Sequence, residues 1–140
     1  MKCKPNRFGC SGKFEWERYV DLSEKTVKGD NEAYWRCTIS RAYYGAFCIA
    51  RGYRRELQES EASDIHNEVI NFYRKDKQDK DKQDIGKDLE TLHFFRVKSD
   101  YWADYQINKD NAEECIKTAR NCLDKMFKFY GDKNYLYWSW

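Results

Sequence analysis

Apolar residues return every three or four positions in five stretches of this chain, separated by short polar or glycine-bearing breaks. That is the period of helices packed on one another. The first stretch, about residues 14–28, sets Trp16, Val20 and Val27 on one side with charges opposite, and Gly29 closes it. Asp30 or Asn31 then caps a second helix. From Trp35 its apolar seam runs through Ile39, Ala42, Ala46, Ile49, Tyr53 and Leu57, the longest element of the five. Ser63 or Asp64 caps a third helix carrying Ile65, Val69, Ile70 and Phe72. A fourth runs from near Ile85 to about Tyr105. A fifth starts around Asp110, with Ala112, Cys115, Ile116, Ala119, Cys122, Leu123 and Met126 on one stripe and Gly131 at its end.

The intervals carry their own signals. Residues 75–84 read KDKQDKDKQD, a pentapeptide repeated in tandem with nothing apolar to bury, so 74–84 is expected to be a solvated charged loop. Residues 1–13 form an N-terminal extension. Residues 132–140 form an aromatic tail, expected to dock on the bundle, on a partner or on nucleic-acid bases.

Composition narrows the class. One proline and seven glycines leave little for a turn-rich β fold, and 17% of residues are Phe, Trp or Tyr, so rings supply much of the core. A single all-α domain across 1–140 is the result. Lys and Arg number 26 against 24 Asp and Glu, which excludes a wholesale basic surface and confines any nucleic-acid contact to a local patch. No apolar run approaches a membrane span, and the start MKCKPNRFGC lacks the apolar centre of a secretory signal. A cytoplasmic location is the expectation.

Six cysteines include no CxxC pair. Cys37, Cys48, Cys115 and Cys122 fall within helices and read as small apolar packing residues. Cys3 and Cys10, flanking KPNRFG, make a weak metal or disulfide pair. No metal site or other cofactor is assigned.

The second helix has two further faces. Arg41, Gly45, Cys48 and Gly52 make a stripe dominated by small residues, where another helix can approach closely. Arg36, Ser40, Tyr44, Arg51 and Arg55 form the side offered to a polar partner. In the fourth helix the apolar line Ile85, Leu89, Leu92 and Ala103 passes through Arg96, with His93 one turn before and Asp100 one turn after. A half-buried guanidinium requires a carboxylate, a phosphate or several carbonyls. Asp100 can serve as an internal partner, and a phosphate held in two places is the functional alternative. His66, on the third helix, reads by itself as a satisfied polar residue.

Three of these segments, in order, resemble the HEPN domains, small helical proteins often encoded beside a minimal nucleotidyltransferase in prokaryotes. SRAYYGAF, Ser40 to Phe47, is similar to the SRAYYA-type second-helix signature of one branch. His66 falls where that branch has a histidine, and RVKSDY, Arg96 to Tyr101, is similar to its R-x-x-x-D-Y element. The resemblance covers about residues 14–128. It implies an antiparallel bundle of four or five helices, commonly a homodimer that joins the polar residues of two late helices. Many HEPN proteins are metal-independent endoribonucleases with R-x(4–6)-H, in which the arginine steadies a phosphate and the histidine assists attack by the ribose 2′-OH. Arg96 supplies the first half, but Tyr101, Trp102 and Ala103 stand where the histidine belongs.

Two functions therefore compete. One is a toxin or defence ribonuclease with Arg96 on the phosphate and His93 or His66 as base. The other is a non-catalytic module binding a nucleotide, RNA or a protein through Ser40, Arg41, Tyr44, Arg51, Arg55 and Tyr101. In the toxin setting a nucleotidyltransferase antitoxin could modify Tyr101 or Tyr105. A bundle with no ligand is the third, structural class.

Overall fold

A computed structural model describes residues 13–54 and 64–131, which form five helices and, among those residues, no strand. They are α1 (Glu17–Thr26), α2 (Glu32–Tyr53), α3 (Ile65–Arg74), α4 (Lys80–Tyr101) and α5 (Lys109–Tyr130). Cys3, Cys10, Arg55, Leu57, Ser63 and the aromatic tail lie outside the described residues.

Helix α2 is central and touches the other four. Its start is set by Asn31, not Asp30: the Asn31 side chain accepts from the backbone N–H groups of Ala33 and Tyr34. Asp64 caps α3 in the same way, through Asn67 N–H. Ile39, Tyr43, Ile49, Val69, Tyr73, Ile85, Leu89, Leu92 and Met126 meet in one core with essentially no solvent exposure. Rings do supply much of it. Two of the buried phenols satisfy their hydroxyls on carbonyls, Tyr73 on Ala50 O and Tyr53 on Gly131 O, each at 2.7 Å.

The small-residue stripe of α2 lies against α1. A Cβ on Gly45 would stand 2.6 Å from Val20 Cγ2, so only glycine permits this approach without a shift. Arg41, one turn earlier, lays its guanidinium over the Tyr19 ring at 4.7 Å. A second close crossing joins α3 to α4, where a Cβ on Gly86 would meet Arg74 N at 2.4 Å.

Several boundaries differ from those the periodicity predicts. Helix α4 starts at Lys80 rather than near Ile85, because Asp79 accepts from Asp81 N–H and Lys82 N–H and caps it. The charged loop 74–84 is therefore confined to 75–79, and the second copy of the pentapeptide is helical. Lys82 covers the Phe72 ring at 4.3 Å, so the charged turn has an apolar surface to lie on. At its other end α4 stops at Tyr101, four residues short of Tyr105. Ala103 is exposed beyond that end, and the buried apolar line of α4 closes at Leu92. Cys37 is exposed rather than packed, whereas Cys115 and Cys122 are buried and Cys48 half-buried.

Among the described residues no helix is long and apolar enough to cross a membrane.

Candidate functional site

Arg96 stands one turn past Leu92, where the α4 seam leaves the core for the surface. Its side chain is only 11% exposed. Nε donates to Asp100 Oδ2 at 2.8 Å and Nη2 to the Tyr101 hydroxyl at 3.3 Å, and the guanidinium lies against the Tyr44 and Tyr101 rings at 4.9 and 5.2 Å. Among the described residues Nη1 has no acceptor. Burial opposes the charge, but Tyr44 and Asp100 outweigh it and the Arg96 pKa lies above its ordinary value.

Helix α2 supplies the floor. Ser40, buried, donates to Asp100 Oδ2 at 3.3 Å, and Tyr44 lies between Arg96 and Arg41, whose guanidinium is 5.4 Å from the ring. Arg41 also donates to Ser40 Oγ at 3.3 Å. Behind Tyr44 is a cluster of flat rings. Phe47 stacks on His66 at 4.5 Å, His66 on His93 at 5.6 Å, and Tyr43 contacts all three. His66 Nδ1 is 2.7 Å from the Tyr43 hydroxyl.

Both imidazoles are biased toward the neutral form. Burial lowers the His66 pKa first, and the charges of Arg96, His93 and Arg51 lower it further against the pull of Asp64. Burial and then Arg96 lower His93, again opposed by Asp64. The arrangement joins a phosphate-competent cation to two neutral imidazoles from different helices.

Most of the sequence candidates thus meet. Arg96, Asp100, Tyr101, Ser40 and Tyr44 form one contact set, His66 and His93 adjoin it through Tyr43 and Tyr44, and Arg41 borders it. Arg51 is near enough to His66 for its charge to be felt there. Arg36 does not join them. Its guanidinium donates to Lys98 O at 3.1 Å, Ser99 O at 3.0 Å, Trp102 O at 3.1 Å and Tyr105 O, while Nε pairs with Glu32 at 2.7 Å. It closes the C-terminal end of α4 and is not open to a partner, which corrects its assignment to the polar face.

A family model described as HEPN domain matches residues 17–130, from the start of α1 to the end of α5. This chain belongs to the HEPN domain family. No curated protein and no solved structure gives a match.

In this HEPN domain the positions five to seven residues after Arg96, where the histidine of R-x(4–6)-H would stand, lie at and just past the end of α4. Tyr101 is its last residue, 70% exposed, and Trp102 comes next, 51% exposed. The two imidazoles of the chain are instead His93, one turn earlier on the same helix, and His66 on α3. Tyr43 and Phe47 are the members of the ring cluster that the seam Ile39, Ala42, Ala46, Ile49 left out. Their signal is the spacing Ile39, Tyr43, Phe47, one residue per turn, in line with a histidine at the start of the next helix.

Proposed function

We propose that this HEPN protein acts on RNA, with Arg96 receiving a backbone phosphate beside the histidine pair. The observation that carries this reading is a guanidinium 11% exposed, open at Nη1 among the described residues, next to two imidazoles held neutral by burial and positive charge.

In the cleavage this supports, the ribose 2′-OH attacks the adjacent phosphorus. The new P–O2′ bond forms as the P–O5′ bond breaks, leaving a 2′,3′-cyclic phosphate and a 5′-OH. Arg96 stabilises the charge on the non-bridging oxygens, His93 accepts the 2′-OH proton, and water returns a proton to O5′. A neutral imidazole is the form able to accept it. The test is RNA cleavage by wild type, Arg96→Ala and His93→Ala. Activity lost in both variants is expected, and a clean wild type that does not cleave, or equal cleavage by all three, overturns catalysis.

A second reading is a module that binds nucleotide or RNA without cutting it. Asp100 favours it, because its carboxylate already occupies Arg96 Nε, and so does the absence of a histidine after Arg96. Binding without cleavage, weakened by salt, identifies this case. A flat salt response points to a protein partner instead.

The toxin or defence setting, a cytoplasmic location and a homodimer joining two late-helix sites belong to the same proposal. A nucleotidyltransferase partner would act on an accessible phenol, and Tyr101 is the more exposed choice over Tyr105. Intact mass after co-expression with such an enzyme would reveal the added nucleotide.

A further inference from the structure

Tyr43 has no solvent exposure, yet its hydroxyl must place a proton somewhere. Among the described residues its one hydrogen-bond partner is His66 Nδ1, at 2.7 Å. We infer that Tyr43 donates to His66 Nδ1 and thereby fixes the imidazole proton on Nε2, so that His66 serves the site as a neutral hydrogen-bond donor to a phosphate oxygen and not as a base.

Two arrangements of this contact are conceivable, and they differ in what they leave unpaired. If His66 carried its proton on Nδ1 and donated to the phenol oxygen, the phenolic proton would be buried without an acceptor. That is the costly outcome for an interior hydroxyl. If Tyr43 donates, both atoms of the contact are satisfied, and a phenol is a better donor than acceptor. The remaining proton of the neutral ring must then sit on Nε2. The Tyr43 hydroxyl is itself held protonated, because burial pushes its pKa far above the ordinary range.

The consequence is a division of labour between two rings of one type. His66 has its lone pair engaged at Nδ1, so accepting a proton there would break the Tyr43 bond. It retains an N–H donor at Nε2, and both it and Arg96 adjoin the Tyr44 ring, His66 at 6.0 Å and the Arg96 guanidinium at 4.9 Å from its centroid. His93 contacts Tyr43 only ring to ring and, among the described residues, makes no hydrogen bond through a ring nitrogen, so the lone pair that a base needs is not engaged. Tyr43 is accordingly a positioning residue, acting through His66. The role assigned to His66 at a phosphate rests on the proposed reading of Arg96, whereas the tautomer does not depend on it.

The experiment is a long-range proton–nitrogen correlation spectrum of the uniformly 15N-labelled full chain at neutral pH, wild type against Tyr43→Phe. The expected wild-type result is a protonated Nε2 and an unprotonated, hydrogen-bonded Nδ1 for His66, with Tyr43→Phe shifting Nδ1 to the free position and mixing tautomers. A wild-type His66 protonated on Nδ1 overturns the inference, and this holds even if Tyr43→Phe does not fold. For the role at phosphate, RNA affinity is compared in His66→Ala and His66→Gln, whose amide N–H stands near the place of Nε2–H. His66→Ala is expected to weaken binding about threefold to tenfold and His66→Gln to recover most of it. Equal loss in both removes the donor role. A wild type that binds no RNA defeats the phosphate reading alone, since the spectrum still decides the tautomer.

Discussion

Arg36 and Arg96 both bridge α2 and α4, at two levels of the same helix pair, and the chain uses them in opposite ways. Arg36 is surrounded by main chain: four carbonyl oxygens at the end of α4 and the Glu32 carboxylate take its donors. Arg96 is surrounded by side chains: one carboxylate, one phenol and two ring faces. Carbonyls fixed at a helix end have no N–H partner further along the helix and cannot move aside. A carboxylate on a side chain can rotate away when a better anion arrives. Shielding an arginine therefore does not mark it as functional. What separates the two is whether its acceptors can be displaced.

The sharpest way to break this contrast is to delete each arginine and compare stability. Arg36→Ala removes charge-assisted bonds to carbonyls that only partly regain water. A loss of about 2–3 kcal/mol is expected, a fall in Tm of roughly 7–12 °C. Arg36→Lys should recover little, since one ammonium cannot span the carbonyls that a planar fork reaches. Thermal unfolding of wild type and both variants measures this. A loss below about 0.5 kcal/mol in Arg36→Ala would show that the carbonyl cluster is adequately served by solvent.

Arg96→Ala should behave in reverse. Its donors go to two side chains that keep other partners or water once it is gone, Asp100 and Tyr101, and not to a set of fixed main-chain carbonyls, so stability should fall by less, about 1 kcal/mol. RNA binding should fall at least about tenfold, and the slope of log affinity against log salt should drop by about 0.7, one phosphate on a single strand. Asp100→Asn refines the point. It removes the competing anion and keeps a hydrogen-bonding group toward Ser40, so RNA should bind roughly threefold to tenfold more tightly. Weaker binding would mean that Asp100 orients the guanidinium more than it competes for it.

How far these differences are legible in the sequence depends on the range of the interaction. Helix number, class and most of the core can be read from periodicity, because each core position is set by its neighbours three and four residues away. Arg96 is visible for the same reason, as a polar residue on an apolar line. Arg36 is not: its partners at Lys98, Ser99, Trp102 and Tyr105 are long-range backbone atoms that leave no trace in side-chain pattern. The tandem repeat makes the limit plain. KDKQD at 75–79 forms a turn and KDKQD at 80–84 forms helix, with identical local preference. Asp79 caps only the segment on its C-terminal side, and Lys82 finds Phe72 only once α3 is in place. Tyr43 and His66 likewise become a pair only when α2 and α3 pack.

The smallest expected effect concerns that pair of imidazoles and separates the Arg96 end from the Arg36 end by pH. Both His66 and His93 have folded-state pKa values below the ordinary 6.5, with Arg96, Arg51 and Asp64 the charged groups around them. The unfolded chain then binds more protons than the folded one below that value. Stability is complete above about pH 6.5 and declines as pH falls from there toward the folded pKa values. In the Arg36 cluster the Glu32 carboxylate is held below its ordinary value by its bond to Arg36, so it contributes no such slope here. Wild type should therefore lose a few degrees of Tm between pH 7 and pH 5.5, and His66→Gln with His93→Gln should remove most of that slope. Arg96→Ala should flatten it in part, because its charge is a shared cause of both depressions. An unchanged slope in the double variant would place the acid sensitivity on other groups and leave the two imidazoles as packing rings.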